Sequence, residues 1–560
     1  MVNNARAPGA ERRRWVGLAV LLIAAFMDLL NGSIVNVAIP AIRNDLGASY
    51  AAIQWIIAGY TLACAVTLIT GGRLGDIFGR KRMFLVGTAG FTVASALCAL
   101  AQSPGMLVGA RILQGLMAAL MLPQVLAIIH LGFGRRELGK VVTLYAFIGG
   151  LAMVGGPVIG GLLLELNPLD LAWRGVFALN LPIGAVALPL AVFLIDESRA
   201  PHALRLDPIG VLLVTFALLL LVYPLAQGRE LGWPDWSIVS MICSPPLFAV
   251  FILYERRKTR SDGSPLIELG LFAARSYTTG LVLQLLLLWV ISAFFFVWTL
   301  YLQLGRDWSP LHTGLTTIPF SVGASIAGGM SMRLYLRFGR ASLIAGAAMM
   351  IAGVLVYGWY GPQATSPQMI APLLLIGVGL GLVIVPLTAL TLADVPPQEA
   401  GGASGMINAI TQLGTVLGIA LIGVVFFTAV GQQAARSVDQ IIPRIHQELS
   451  MAAGLSGPVG DVILADFRTC VIGQTMGHDR PGRSAPCSQG FGATRTVDDA
   501  LSRAAAAVRR EAFAQSFQRS LCYVLGTLVA ILTLLFALPE RAITPAPEAW
   551  PRGAEPRSPS

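Results

Sequence analysis

The sequence predicts an all-α polytopic membrane protein with fourteen transmembrane helices. Its mean hydropathy is +0.72, and 55% of its residues are hydrophobic while 12% are charged. A soluble domain carries roughly a quarter charged residues. Each predicted span has the roughly 20 apolar residues that cross a hydrocarbon core of about 30 Å. The spans cover residues 15–38, 51–71, 83–102, 105–130, 140–165, 175–195, 207–226, 236–254, 276–302, 311–333, 340–360, 369–392, 402–428 and 516–538.

The basic residues predict how these spans are oriented. Of the 39 lysines and arginines, 24 fall in the two tails and the even-numbered loops, whereas 4 fall in the short odd-numbered loops. Loops on the cytoplasmic side of a membrane are enriched in Lys and Arg. We therefore expect a multi-pass protein of the cytoplasmic (inner) membrane with both termini in the cytoplasm. The net charge of +10 then reflects contact with lipid headgroups and not with nucleic acid.

An internal repeat predicts the domain organisation. Residues 73–80 read R-L-G-D-I-F-G-R after the second span, and residues 333–340 read R-L-Y-L-R-F-G-R after the tenth. Many transporters are built from duplicated halves. We expect a 6+2+6 arrangement, with these parts: a cytoplasmic tail (1–14), an N-terminal six-helix bundle (15–200), two inserted helices (201–260), a C-terminal six-helix bundle (261–541) and a disordered cytoplasmic tail (542–560).

One long hydrophilic segment, residues 429–515, interrupts the C-terminal half on the predicted exoplasmic side. Its amphipathic stretches at 438–453 and 497–517 predict partial helix, the second running into the last span. Cys470 and Cys487 are the two cysteines outside the spans, on the oxidising face, so we expect them to form a disulfide. Two unpaired thiols in a flexible insert are the alternative.

Two charged residues lie well inside predicted spans. Asp28 is in the first span and Arg111 is in the fourth. A charge at this depth costs about 2.5–3.5 kcal/mol on insertion scales and usually marks a substrate or ion pathway. An ion pair that only braces two helices is the alternative. The predicted pathway function is proton coupling.

Three further motifs combine glycines with polar residues. The loop after the second span contains Gly72, Gly75, Asp76, Gly79, Arg80 and Lys81. Its glycines permit a tight turn, and its acid can bind the positive N-terminus of a helix from the other half. The fourth span carries Gln114 and Gly115 after Arg111, and the fifth carries Gly156, Pro157, Gly160 and Gly161. Small residues there allow close helix packing. A basic loop that only sets topology, and glycines that only pack, are the plainer interpretations.

These motifs resemble motifs A, B and C of the major facilitator superfamily. Three other stretches, residues 26–40, 173–184 and 401–418, resemble motifs of its 14-helix drug:proton antiporter branch, drug:H⁺ antiporter family 2. The resemblance implies the major facilitator fold, a cytoplasmic gate at motif A, a proton-transfer role for Arg111 and, from motif C, export. Ile77 and Met117 depart from the usual motifs.

Asn31 is the informative departure, because it occupies a position where the branch usually has Asp. Asn cannot carry a titrating proton. Asp28 lies one turn, about 4.5 Å, deeper and on the same helix face. We therefore take Asp28 as the proton carrier, with Asn31 and Arg111 tuning it.

We therefore expect the function to be proton-coupled efflux of amphipathic drugs or antibiotics by alternating access. A lipid or cell-wall-precursor flippase on the same fold is the alternative. No catalytic or phosphate-binding motif is present, so we expect a transporter that is not an enzyme and needs no cofactor. We also expect it to be monomeric. Interfacial belts and lipid-facing packing explain most aromatic residues. The candidate substrate cavity contains Trp55, Tyr60, Gln284, Trp289, Phe295 and Gln412.

Overall fold

The computed structural model describes residues 8–133, 135–199, 205–261, 265–395, 400–453, 458–476 and 495–538. Every regular element in these ranges is helical. The α-helices are α1 Pro8–Leu46, α2 Tyr50–Phe78, α3 Arg80–Ala99, α4 Pro104–Gly132, α5 Arg135–Leu166, α6 Arg174–Ala178, α7 Asn180–Leu194, α8 Pro208–Gln227, α9 Asp235–Ser261, α10 Arg275–Leu300, α11 Pro310–Thr316, α12 Ile318–Phe338, α13 Arg340–Tyr360, α14 Ser366–Thr391, α15 Ala400–Ala453, α16 Pro458–Met476 and α17 Arg495–Leu535. A π-helical turn, Tyr301–Gly305, extends α10.

Local sequence signals start several of these helices. Ser49, Ser103 and Ser309 each accept a hydrogen bond at 3.2 Å from the backbone N–H three residues ahead. Thr365 and Gln368 form a reciprocal capping box at the start of α14. These caps satisfy backbone donors that a helix leaves free at its N-terminus.

The all-helical membrane fold predicted from composition is confirmed. Thirteen of the described helical segments are long and apolar enough to cross a membrane. The predicted tenth span, 311–333, is instead divided between α11 and α12, and neither is among the thirteen. The division falls at Thr317, just before Pro319, which lies in the first turn of α12, where a helix tolerates proline best. α12 is also rich in glycine and serine, which lowers its hydropathy.

The sequence repeat corresponds to a structural repeat. Gly79 separates α2 from α3 with φ of 115°, and Gly339 separates α12 from α13 with φ of 57°. Both values are positive, a region that residues with a Cβ rarely adopt. A glycine with positive φ therefore joins corresponding helices in the two halves.

The described residues contain several groups of buried apolar residues, and three of them indicate how the halves and the inserted helices pack. One lies among α1–α5 and α7, and a larger one joins α10, α12–α15 and α17. A third group joins the inserted helix α8 to α2 and α15. Of the two inserted helices, α8 therefore contacts both halves, and α9 packs on α8.

The segment 429–515 contains more helix than its hydrophilicity alone indicates. α15 continues to Ala453, α17 begins at Arg495, and α16 lies between them in the chain. These three helices share a small apolar core that includes Val438, Phe467 and Val508.

The predicted disulfide involves this helical segment. Cys470 of α16 is disulfide-bonded, while Cys487 and the tail 542–560 lie outside the described residues. The pairing with Cys487 stays a prediction. Mass spectrometry of unreduced proteolytic peptides is expected to recover these two cysteines in one linked species, and free thiols at both would contradict the bridge. We expect transport to survive its removal, because Cys470 packs on the small core that α15, α16 and α17 share and not among the buried polar residues of the N-terminal bundle.

Candidate functional site

Asp28 is buried in the N-terminal bundle and is hydrogen-bonded to a tyrosine. Its side chain lies on α1, and the residue is 5% exposed. The hydroxyl of Tyr60, on α2, donates a hydrogen bond to Asp28 Oδ1. A buried carboxyl group needs such a partner, because an unpaired one has lost its water. The acid predicted from sequence therefore sits in a polar site between the first two helices.

The guanidinium group of Arg111 lies over the ring of Tyr60. Its guanidinium carbon is 4.2 Å from the ring centroid, within the range of a cation–π interaction. Arg111 Nε donates to the carbonyl of Ile56 at 2.9 Å, and Nη1 donates to Gln114 Oε1 at 2.6 Å. Tyr60 thus connects the acid and the base, its hydroxyl to Asp28 and its ring to Arg111. The sequence indicated that Arg111 can reach Asp28, but not that a tyrosine stands between them.

Gln114 extends this network toward the position where the branch usually has a second acid. Its Nε2 donates to Ser95 Oγ at 2.7 Å and to Asn31 Oδ1 at 3.4 Å. Asn180 Nδ2 donates to the same Ser95 oxygen at 3.3 Å. All four side chains are buried. Ser95 lies outside every motif in the sequence, so only its place on α3 reveals its role.

The Asn31 amide is only half satisfied. Its oxygen accepts the bond from Gln114, whereas its buried Nδ2 has no partner in the structure. The unpaired group is a donor, and an aspartate at this position would not have it. Asn31 therefore occupies its site with one unmet hydrogen bond.

We expect Asn31→Asp to fold and to transport, because the substitution keeps the oxygen that Gln114 contacts and removes the unpaired donor. It adds a second carboxyl group near Arg111 and is expected to change the pH dependence of export or the preference for cationic substrates. Efflux measured across a pH series checks this. Asn408→Asp, on α15, is the matched control. An unchanged pH profile and substrate range would show that position 31 is irrelevant to coupling.

The loop that resembles motif A is closed by contacts within the N-terminal half. Arg80 Nη2 pairs with Asp76 Oδ1 at 2.6 Å, one helical turn away. The carboxylate of Glu197, after α7, accepts from the backbone N–H groups of Lys81 at 3.0 Å and Arg82 at 3.3 Å. Glu197 therefore caps the N-terminus of α3, where a negative charge is stabilising. Sequence reasoning missed Glu197, because its distance from the motif in the chain is more than a hundred residues.

In this structure Asp76 pairs with Arg80 of its own loop. The i, i+4 spacing brings the two charges together across the bend at Gly79. The expected contact of Asp76 with the N-terminus of a helix from the other half stays a prediction.

Two motif A glycines lie against α4, and the arginine between them reaches the inserted segment. A side chain on Gly75 would overlap Gln124, and Gly72 lies near Pro123. Arg73 donates to the carbonyl of Arg205 at 3.0 Å and to that of Pro265. Motif A is thus joined to the chain just before α8 and just before α10.

Asp76→Asn is expected to shift the protein toward the inward-open state by removing the charge available to a helix N-terminus. Such an interaction is worth on the order of 0.3–2 kcal/mol. Labelling of single cysteines introduced at the contact between α5 and α11 should then fall relative to wild type. Asp170→Asn is the control, because Asp170 lies in the loop after α5. Equal labelling of wild type and Asp76→Asn would count against the gate.

The motif C glycines bring α5 against both α1 and α11. A side chain on Gly156 would overlap Ser33, and one on Gly160 would lie 2.8 Å from Ile34 Cγ1. Gly161 faces α11, where an added Cβ would lie 2.5 Å from Leu311 Cα. Pro157 contributes through its carbonyl, which leaves no room for a side chain on Gly314 of α11. The motif therefore lies at the contact between the halves.

Motif B is packed just as closely. A side chain on Gly115 would overlap the carbonyl of Tyr60, the residue that links Asp28 and Arg111. The glycine thus lets α4 approach α2 closely enough for the polar network to form.

The six candidate cavity residues have different surroundings. Trp55 packs on Tyr223 of α8, with ring centroids 5.8 Å apart, and Tyr60 belongs to the Asp28 network. Trp289 donates to the hydroxyl of Tyr523 on α17. The other three are Gln284, which donates to Thr388 at 3.3 Å, Phe295, which packs edge-to-face on Phe320, and Gln412, which is half-buried on α15. Trp55 therefore faces the inserted helices, and the cavity assignment stays a prediction.

The fold and this buried site define a class of protein: a two-bundle membrane transporter with an acid–tyrosine–arginine network in its first bundle. A family model described as Major Facilitator Superfamily matches residues 21–419. The chain belongs to this superfamily, as its motifs indicated.

Two relatives agree with this membership, and a solved structure has the same fold. A protein named "Probable actinorhodin transporter" from Streptomyces coelicolor is 41% identical over 546 residues, covering 96% of this chain and 94% of the relative. The "Tetracenomycin C resistance and export protein" of Streptomyces glaucescens is 34% identical, covering 82% and 85%. An inward-facing, unoccupied bacterial homologue of the human lysosomal transporter Spinster has the same fold, with a TM-score of 0.55, 13% identity and coverage of 94% and 98%.

Proposed function

We propose that this protein exports amphipathic organic molecules of the antibiotic or drug class across the cytoplasmic membrane, in exchange for protons that move inward. The observation that carries the proposal is the contact of buried Asp28 with Tyr60, which in turn packs on Arg111. An isolated buried charge is costly, so a network of this kind at bilayer depth favours a function in ion movement over packing alone.

Several contacts between the halves support an inward-facing conformation. Tyr50 stacks on Phe427 with ring centroids 4.0 Å apart, and Gln54 Nε2 donates to the carbonyl of Ile419 at 3.2 Å. By the positive-inside rule this is the exoplasmic end of the bundle, and both termini lie in the cytoplasm. A closed exoplasmic end leaves the cytoplasm as the side from which substrate enters.

The proton gradient is a sufficient source of energy. One proton that moves down about 100 mV supplies about 2.3 kcal/mol, which corresponds to a substantial concentration ratio if coupling is tight. Protonation of Asp28 would weaken its attraction to Arg111, and deprotonation would restore it. Alternation between these states, linked to rocking of the two bundles, gives exchange of substrate for a proton.

The substrate class is inferred from the relatives. The two Streptomyces proteins are named for transport of actinorhodin and for resistance to and export of tetracenomycin C, which are antibiotics. We therefore propose an antibiotic or a drug of comparable amphipathic character as substrate, handled by a monomer in contact with membrane lipids.

Transport in inverted membrane vesicles tests the proposal. Vesicles that contain the protein should accumulate an amphipathic dye or antibiotic when an inside-acid gradient is imposed, and a protonophore should abolish the accumulation. Vesicles with the Asp28→Asn variant are the control. Absence of proton-dependent accumulation would overturn the proposal, and movement of a fluorescent lipid in its place would favour the flippase alternative.

A further inference from the structure

A second buried acid pair lies at the base of the inserted helices, away from the Asp28 network. Asp207 precedes α8 and is 2% exposed, and Glu255, near the end of α9, is fully buried. The two carboxyl groups converge on Gly210, where an added Cβ would lie 2.4 Å from an oxygen of Asp207 and 2.5 Å from an oxygen of Glu255. Neither residue belongs to a motif identified in the sequence.

Each carboxyl group has one oxygen that is satisfied and one that is not. Asp207 Oδ1 accepts from the backbone N–H of Gly210 at 3.0 Å and from the Tyr254 hydroxyl at 2.8 Å. Glu255 Oε2 accepts from the backbone N–H of Ile267 at 3.1 Å. The remaining oxygens, Asp207 Oδ2 and Glu255 Oε1, are buried without a hydrogen-bond partner.

The two unsatisfied oxygens face the same point. A Cβ on Gly210 would overlap Asp207 Oδ2 and would lie 2.5 Å from Glu255 Oε1. Two carboxylates cannot donate to each other, so both oxygens stay unpaired if both groups are ionised. A single proton held between them satisfies both oxygens and removes one of two adjacent buried charges.

The surrounding charges fit one bound proton. Lys258 Nζ lies 3.8 Å from Asp207 Oδ1. With one proton on the pair, the positive lysine balances the one remaining negative charge. With no proton, the cluster carries a net negative charge that is buried, which is costly. Tyr254 donates to Asp207, and the segment before α10 contributes the backbone N–H of Ile267.

The pair also holds together the two chain segments that motif A contacts. Arg205 lies two residues before Asp207, and Pro265 lies two residues before Ile267. Arg73 donates to the carbonyls of both Arg205 and Pro265. The acid pair and Arg73 thus both connect the segment before α8 to the segment before α10.

We propose that Asp207 and Glu255 bind one proton between them, and that this proton fastens the start of the inserted helices to the segment before α10. This proton site is separate from the one on Asp28. When the proton leaves, the two carboxylates repel each other in a poorly hydrated site, and that repulsion exceeds one amide hydrogen bond. The two segments then separate, and the loop that resembles motif A loses its anchor.

The first test detects the proton itself. Infrared difference spectra of the purified full-length protein, wild type minus Glu255→Gln and wild type minus Asp207→Asn, should each show the carbonyl band of one protonated carboxylic acid near neutral pH. The same band should disappear from wild type as the pH is raised. Glu137→Gln is the matched control, because Glu137 pairs with Arg14 on the surface of the bundle and holds no shared proton.

The second test detects the fastening. Hydrogen exchange of the Ile267 amide, corrected for the intrinsic effect of pH, should accelerate by about tenfold or more in wild type as the infrared band disappears. Glu255→Gln and Asp207→Asn should show no such acceleration, because one neutral partner keeps the pair joined. Glu137→Gln should behave as wild type.

Three outcomes would overturn the proposal. They are absence of the acid band in wild type, persistence of the wild-type exchange profile in both variants, or exchange that follows sodium and not proton concentration. The measurements use protein without substrate and without a gradient, so a failure of Asp28 to couple transport would leave them unaffected. Because Asp28 also binds a proton, the band is followed in protein that carries Asp28→Asn, where a remaining band belongs to the Asp207 and Glu255 pair. Loss of that band in either Glu255→Gln or Asp207→Asn then suffices, so misfolding of one variant does not prevent a decision.

Discussion

Asp28→Asn is expected to reduce proton-driven export to the level of vesicles without the protein, while folding and membrane insertion are retained. The replacement is nearly isosteric, and the amide oxygen of Asn can still accept the hydrogen bond from Tyr60. The network with Arg111 therefore keeps its shape, but the amide cannot bind and release a proton. Accumulation of substrate in inverted vesicles under an imposed pH gradient measures the effect.

Two controls separate loss of coupling from loss of the protein. Asp196→Asn removes an acid from an exposed pair with Arg13 and should leave export unchanged, because exposed ion pairs contribute about 0–1 kcal/mol. Exchange of labelled for unlabelled substrate without a gradient should persist in Asp28→Asn, since it requires binding but no proton. Full gradient-driven export by Asp28→Asn would refute the assignment.

The fold could be predicted from sequence because its determinants repeat or extend over many residues. Span lengths follow from bilayer thickness, and orientation follows from the placement of lysine and arginine. The repeat at 73–80 and 333–340 predicted two similar halves, and Gly79 and Gly339 adopt positive φ at corresponding bends. The division between α11 and α12 was not predicted, because the predicted span treated residues 311–333 as one apolar stretch, although Thr316, Thr317 and Pro319 interrupt it.

The site could be predicted only in part, because helical spacing indicates a face but not the neighbour that covers it. The sequence placed Asp28 and Asn31 on one face of α1. It did not reveal that Tyr60 separates Asp28 from Arg111, and it assigned Tyr60 to the substrate cavity. The packing partner of Trp55 could not be predicted for a related reason. The partner of Trp55 is Tyr223 on an inserted helix, and no local pattern specifies that pairing.

Arg111→Lys is expected to abolish export almost as completely as Asp28→Asn, although it keeps the positive charge. Arg111 uses separate nitrogens for the carbonyl of Ile56 and for Gln114 while its plane packs on Tyr60 at 4.2 Å. A lysine ammonium is a point charge and cannot hold these three contacts together. Gln114 would then be free to turn away from Asn31, and the ammonium could pair directly with Asp28 and retain it in the ionised form.

Gradient-driven efflux over a pH series measures the effect of Arg111→Lys. Export is expected to be lost at neutral pH and partly restored under more acidic conditions, where Asp28 can again be protonated. Arg13→Lys, at an exposed pair, is the matched control and should export as wild type. Wild-type export by Arg111→Lys would show that charge alone suffices at position 111 and that the planar contact with Tyr60 has no part in coupling.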